Sequence, residues 1–233
     1  MSKQDNGAGM PAGDASGHWF GVYPAQVCDV ADPEGQGRVK VRLPWAPDAA
    51  GGPAPEVWAR LATMAAGPGW GSWFVPDVGN EVLVAFQGGD PAWPVVLGSM
   101  WNGVNTPPSN SSPPTGRRIL RSRSGARIEF NDAQGGEGLT LSTAGGHKVV
   151  LDDSAHRLSI IDREGNHVLM DYSGMTVRSV GKLVVEATEV TLTTAKFRIN
   201  AAKVEVAGQL KADTVVTTSV VANAYTTGAG NIW

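Results

Sequence analysis

The carboxylates between residues 152 and 171 are the strongest candidates for chemistry in this chain. Asp152-Asp153, Asp162, Glu164 and Asp171 could supply the two carboxyl groups at a defined separation that glycoside hydrolysis requires. They recur, however, at the turn positions of successive short repeats, where an aspartate caps a bend by accepting hydrogen bonds from backbone N–H groups. We interpret them as turn caps, and we expect no catalytic residues and no enzymatic activity.

Metal, phosphate and thiol chemistry have weaker signals. The four histidines are dispersed and lack metal-ligand spacing, at His18, His147, His156 and His167, so we predict no metal and no cofactor. The glycine-rich run Gly67–Gly71 lacks the Gly-Lys-Ser/Thr ending and the helical pattern of a phosphate loop, which makes it a turn. The single cysteine, Cys28, allows no internal disulfide and is expected to be a small buried apolar residue.

A cluster of arginines follows residue 116 and could bind an anion or a nucleic acid. It consists of Arg117, Arg118, Arg121, Arg123 and Arg127. The formal net charge of the chain is -3, whereas nucleic-acid binders usually carry a basic excess. We therefore expect no nucleic-acid partner, and we favour a polar collar at the point where several chains come together.

Short apolar pairs at i and i+2 dominate the second half of the chain. This spacing is typical of β-strands, because a coiled coil would repeat at i and i+3 or i+4. The pairs first recur every nine to eleven residues, at Ile128-Phe130, Leu139-Leu141, Val149-Leu151, Leu158-Ile160 and Val168-Met170. They then recur every seven residues, at Leu183-Val185, Val190-Leu192, Phe197-Ile199 and Val204-Val206.

A unit of this size cannot bury its own apolar side chains. Each repeat offers only two or three of them, and a seven-residue unit is too short to wrap a single-chain β-helix. Three interleaved copies would enclose the apolar side chains and close the strand edges. We predict a homotrimeric interwoven β-helix or β-prism over residues 119–222, with Leu183, Val185, Val190, Leu192, Phe197, Ile199, Val204 and Val206 in the trimer core. An antiparallel sandwich is the alternative.

Composition divides the rest of the chain. Residues 1–17 are small, polar and glycine-rich, and we expect them to be disordered, with no signal peptide. Residues 18–104 carry alternating runs such as Arg38–Leu43 and Asn80–Phe86, which predict a small β-barrel. A Pro/Ser linker covers 105–118, and an apex segment of turn residues covers 223–233. The predicted fold class is all-β.

Two segments in the barrel region carry a family resemblance. GRVKVRLPW at Gly37–Trp45, followed by the run from Trp58 to Gly103, closely resembles the OB-fold domain of the phage baseplate assembly protein V and VgrG spike family. The final residues TTGAGNIW, Thr226–Trp233, resemble the C-terminal ends of spike proteins from extracellular contractile injection systems. The resemblance implies a central spike, trimeric, with the OB-fold near the hub and the prism pointing at the target.

The resemblance also implies partners and a location. Larger relatives fuse a hub module ahead of the OB-fold, so a separate hub protein is expected here. The spike would contact the target membrane transiently, and it would be made in the cytoplasm and built into a phage-tail-like particle that can be released. Some phage spikes end in an iron site with a His-x-His pair, but the last histidine here is His167, so no metal-tipped apex is expected.

The last residues suggest a binding site for a tip protein. Ile232 and Trp233 are large apolar residues at a chain end, and threefold symmetry would gather three copies into one apolar patch. We predict that Asn231, Ile232 and Trp233 bind a PAAR-repeat-like cone protein, with a plug for the prism core as the alternative role of Trp233. The alternative function for the whole chain is a trimeric tail-fibre-like adhesin or polysaccharide depolymerase.

Overall fold

The chain folds into β-structure. A computed structural model describes residues 17–46, 52–108 and 114–223, and it divides the chain into two compact units, residues 1–182 and 183–233. Within the described ranges there is no α-helix, and the only helical turns are short 3-10 turns at Gln87–Gly89 and Pro114–Gly116. No helix in these ranges is long and apolar enough to cross a membrane. The all-β prediction is confirmed.

The first part of unit 1 is a closed five-stranded barrel, as the alternating runs predicted. The described residues of this region form seven strands, numbered β1 to β7 in chain order. Two of them, β4 (Ala66–Gly67) and β5 (Trp70–Gly71), form a separate small hairpin. The barrel strands are β1 (Val22–Asp29), β2 (Val39–Arg42), β3 (Glu56–Leu61), β6 (Glu81–Phe86) and β7 (Pro94–Ser99). They pair in the order β1-β2-β3-β7-β6, and β6 returns to β1. The β3–β7 pair is parallel and the other pairs are antiparallel.

Alternation along the strands fills the barrel. In β6 every second residue is buried, and Val82 and Val84 are completely enclosed, as are Val39 and Val41 of β2. Aromatic side chains pack against this core: the ring centroids of Trp19 and Trp45 are 4.7 Å apart. The indole N–H of Trp45 donates to the backbone oxygen of Pro24 at 2.6 Å. The barrel therefore has its own hydrophobic core.

The second part of unit 1 is a seven-stranded antiparallel sheet in which consecutive strands pair. Its strands are β8 (Arg117–Arg121), β9 (Arg127–Asn131), β10 (Gly138–Ser142), β11 (Lys148–Asp152), β12 (Arg157–Ile161), β13 (His167–Asp171) and β14 (Gly174–Arg178). The sheet is a single layer, unlike the two-layer sandwich considered from the sequence. The domain limits proposed from the sequence stay predictions, but strand structure resumes at Arg117, close to the predicted end of the linker.

The described part of unit 2, residues 183–223, has no regular strand pairing of its own. Residues 183–223 form no strand, and every one of these residues is exposed. The apolar pairs with seven-residue spacing lie in this unit. In the single chain they have no partners that bury them.

An ion pair organises the loop between β1 and β2. The carboxylate of Asp32 accepts backbone N–H groups from Glu34, Gln36 and Arg38, and the Arg38 guanidinium lies 2.8 Å away. The Asp32 side chain is almost fully enclosed. The Arg38 guanidinium and these N–H groups hold the pKa of Asp32 well below its usual range.

We predict that Asp32→Asn lowers the melting temperature of the barrel in a pH-dependent way. Because the folded-state pKa is depressed, the stabilisation is complete above the unfolded-state value of about 4 and is lost as pH falls below it. The difference from wild type, measured by tryptophan fluorescence during heating, should be largest above about pH 5. Glu34→Gln removes an exposed partner of the same arginine and should have little effect. A pH-independent difference for Asp32→Asn would contradict this account.

Candidate self-association surface

The register of the seven-stranded sheet places alternate residues on opposite faces. Directly paired residues share a face in an antiparallel sheet. Leu141 pairs with Ile128 on one side and with Val149 on the other, and Val149 pairs in turn with Ile160. The apolar residues of successive strands are therefore aligned on one side of the sheet.

This apolar face is continuous across all seven strands. It carries Leu120, Ile128, Phe130, Leu139, Leu141, Val149, Leu151, Leu158, Ile160, Val168, Met170, Met175 and Val177. In the single chain Phe130 is 47% exposed and Ile160 is 49% exposed. An apolar patch of this extent on a soluble protein marks an interaction surface.

The opposite face carries most of the charged side chains of the strands together with Ile119, Val150, Ile161 and Leu169. Glu129 is buried on this face, and its carboxylate forms ion pairs with Arg117, at 3.4 Å, and with Arg127. Arg118, which lies beside Phe130 on the apolar face, pairs with Asp132, and Arg123 of the β8–β9 turn pairs with Asp77. Four of the five clustered arginines are thus engaged with carboxylates of the same chain. This pairing fits a polar collar better than a free anion site.

The aspartates singled out for chemistry cap the turns of the sheet. Asp152 accepts the backbone N–H of Ala155 at 2.9 Å and the hydroxyl of Ser154 at 2.8 Å. Asp162 accepts the backbone N–H of Asn166 at 2.8 Å, and Asp171 accepts that of Ser173 at 2.8 Å. The turn-cap interpretation is confirmed for these three residues.

These hydrogen bonds also fix the charge state of the three aspartates. The Ala155 N–H lowers the pKa of Asp152, the Asn166 side chain lowers that of Asp162, and the Ser173 hydroxyl lowers that of Asp171. A general acid needs a raised pKa. The three carboxylates are therefore suited to accept hydrogen bonds and not to donate a proton.

The predicted trimer-core residues all lie in unit 2 and are all exposed there. Their exposed fractions run from 56% at Ile199 to 69% at Val185. Their place in a trimer core stays a prediction. The predicted tip-binding residues Asn231, Ile232 and Trp233 lie outside the described residues.

The sequence analysis missed an apolar groove beside the barrel. The groove has a volume of about 830 Å³, and Phe74 and Trp101 of the barrel region line it together with Leu120, Ile128 and Leu141 of the sheet. Neither periodicity nor spacing in the sequence separates buried from exposed tryptophans. In the structure Trp19 and Trp45 pack on the core, whereas Trp101 is 69% exposed.

Comparison with known proteins agrees with this architecture. Residues 23–101 match the family described as the type VI secretion system/phage-baseplate injector OB domain. The chain is 28% identical over 159 residues to the type VI secretion system spike protein VgrG3 of Vibrio cholerae, covering 65% of this chain and 15% of that protein. It is 31% identical over 121 residues to the spike protein VgrG1a of Pseudomonas aeruginosa, covering 48% of this chain and 19% of that protein.

A third relative carries a different name. The chain is 31% identical over 113 residues to the actin cross-linking toxin VgrG1 of Vibrio cholerae, covering 46% of this chain and 10% of that protein. The chain thus spans less than a fifth of the length of these three relatives. The barrel region thus matches an injector OB domain, and the chain is similar to VgrG spike proteins, in agreement with the sequence resemblance.

We predict that two neighbouring isoleucines of β12 respond oppositely to the same substitution. Ile160 lies on the apolar face between Val149 and Val168, whereas Ile161 lies on the opposite face between Lys148 and His167. Ile160→Glu should abolish self-association, because each copy would bury an unpaired carboxylate. Ile161→Glu places its carboxylate between basic side chains and should leave association intact.

Sedimentation velocity of the two variants at equal concentration provides the measurement. Both isoleucines are exposed in the single chain, at 49% and 37%, so neither change should disturb the fold of an isolated copy. Equal association by the two variants would show that the apolar face is not the contact surface.

Proposed function

We propose that this chain is the structural central spike of a contractile, phage-tail-like injection machine. In this proposal it acts as a homotrimer, with the barrel end held by a separate hub protein and the C-terminal end carrying a tip protein. It transmits the force of sheath contraction and pierces the target envelope. The match of the barrel to an injector OB domain and the similarity to VgrG spike proteins support the assignment.

One observation carries the proposal: the chain exposes far more apolar surface than it can leave in water. The sheet face presents thirteen apolar side chains across seven strands, and unit 2 adds four more exposed pairs. Covering a half-exposed side chain contributes about 1 kcal/mol, roughly half the value for a fully exposed one. The total is comparable to or larger than the roughly 4–15 kcal/mol that association costs. Assembly is therefore favourable without any bound ligand.

The seven-residue repeat favours three copies over two. Two copies could stack their sheets face to face, but a seven-residue unit leaves one short strand and one bend per layer in each chain. Three such strands close a layer around an axis and leave no free edge. A closed cylinder of this kind also suits a protein that must resist bending while it is pushed through an envelope.

Partners at the two ends follow from the same arrangement. The barrel exposes Trp70, Trp73 and Trp93, and exposed aromatic residues of this kind are enriched in protein interfaces, which supports a hub contact there. A PAAR-repeat-like tip protein would bind Asn231, Ile232 and Trp233 at the other end. Contact with the target membrane would be transient, and the net charge of -3 offers nothing that attracts nucleic acid.

The alternative of an adhesin or polysaccharide depolymerase gains no support from the described residues. The best acidic candidates, Asp152, Asp162 and Asp171, are committed to capping turns within their own chain.

We predict that the purified protein is a trimer, with three times the 24.3 kDa mass of one chain. Phe197→Asp should abolish the trimer. The substitution places three carboxylates in one apolar layer, and each unpaired buried charge is strongly destabilising. Light scattering coupled to size exclusion measures the mass. Arg198→Ser changes the net charge by the same single unit at the next position and should remain trimeric. A well-folded wild-type monomer or dimer would contradict the spike proposal.

We further predict that deletion of Asn231–Trp233 separates assembly from tip binding. Because these residues follow the last apolar pairs, the shortened chain should still form a trimer of normal mass. It should fail to retain a co-expressed PAAR-repeat-like protein on affinity purification, since Trp233 is the expected anchor. Retention of the tip protein by the shortened trimer would assign its binding site elsewhere, and loss of the trimer would make Trp233 a plug of the prism core.

A further inference from the structure

The groove beside the barrel combines two regions of unit 1. Phe74 and Trp101 come from the barrel region, and the residues facing them belong to β8, β9, β10 and β11. An ion pair between Arg123 and Asp77, at 3.0 Å, joins the β8–β9 turn to the barrel on the same side. Phe74 and Trp101 are 73% and 69% exposed. Both residues therefore line the groove and are mostly exposed in the single chain.

The floor of the groove is part of the apolar sheet face. Leu120, Ile128, Leu141 and Val149 line the groove, and the same four residues belong to the continuous apolar face. The floor of the groove and the apolar face of the sheet therefore form one continuous surface. A molecule that covers the apolar face up to its β8 edge must also meet Phe74 and Trp101.

We propose that a second copy of this chain occupies the groove, so that Phe74 and Trp101 belong to the interface between copies. This inference rests on the proposed trimer and extends it from the strands to the barrel. In the trimer the apolar face of each copy enters the groove of the next copy. The same head-to-tail contact therefore repeats three times around the threefold axis. The two aromatic side chains then fix the barrel relative to the neighbouring sheet, in addition to the exposed Arg123–Asp77 pair, which is weak by itself.

The consequence is that assembly orders the barrels as well as the strands. An exposed ion pair stabilises little by itself, whereas burial of two aromatic rings stabilises several times as much. The orientation of each barrel is therefore set mainly by the neighbouring copy. Only the assembled protein would present the three barrels in one fixed arrangement to a hub.

Hydroxyl-radical footprinting of the purified full-length trimer tests the proposal. Oxidation of Phe74 and Trp101 is compared by mass spectrometry with oxidation of the same residues in the urea-unfolded chain. We expect several-fold protection of both in the trimer. Trp93, which is 61% exposed and does not line the groove, serves as the reference and should remain reactive. Oxidation of Trp101 at the rate of the unfolded chain would overturn the proposal.

A photo-crosslink identifies the occupant. We would place p-benzoylphenylalanine at position 74 and assemble trimers from a mixture of unlabelled and nitrogen-15-labelled chains. Crosslinks that join a labelled to an unlabelled chain, and that map to the apolar face of the partner copy, are the expected result. Crosslinks confined to one chain would show that a segment of the same chain fills the groove, which would also overturn the proposal.

A matched pair of variants measures the energetic role. Trp101→Ser should lower the melting temperature of the trimer by several degrees, whereas Trp93→Ser should leave it unchanged; equal effects would count against the groove contact. The outcomes separate the two proposals. Absence of a wild-type trimer contradicts the spike itself, whereas a normal trimer with an unprotected Trp101 contradicts only the groove contact.

Discussion

A single-layer β-sheet that aligns thirteen apolar side chains on one face leaves that face open in the single chain, and the proposed assembly depends on that constraint. The strict two-residue alternation in β9 to β13 keeps the face continuous, since a slip of one residue would move a whole strand to the opposite side. The aspartate caps at Asp152, Asp162 and Asp171 hold the turns that prevent such slips. Residues that could be taken for catalytic carboxylates thus serve the register of the sheet.

The barrel and the sheet use the same alternating pattern with opposite outcomes. In the barrel, closure by the β1–β6 pair encloses Val39, Val41, Val82 and Val84 within one chain. In the sheet, no closure occurs, and the equivalent face remains open. The barrel therefore has an enclosed core within one chain, whereas in the proposed trimer the sheet and unit 2 would gain stability only from assembly, and their stability would depend on the concentration of chains.

Much of this could be predicted from the sequence, because alternation reports the burial of a strand directly. The pairs Ile128-Phe130 and Val149-Leu151 were found from spacing, and the structure places both on one face. The pairing partners could not be predicted, since spacing does not say whether the neighbour is the next strand or another chain. The groove residues Phe74 and Trp101 were also missed, because a tryptophan has no periodic signal when it stands in a loop.

The change of period near residue 180 explains why pairing within the chain stops there. The hairpins of the sheet contain glycine or aspartate in their turns, such as Asp171 and Gly174 around the β13–β14 turn. In unit 2 the corresponding linkers are Glu186–Glu189 and Thr193–Lys196, which lack the residues that favour tight reversals. A chain that lacks turn residues is expected to bend and continue without reversing, which supports the proposal that residues 183–223 find their neighbours in other copies. The same apolar spacing accompanies an antiparallel sheet where turn residues are available and an unpaired, exposed segment where they are not.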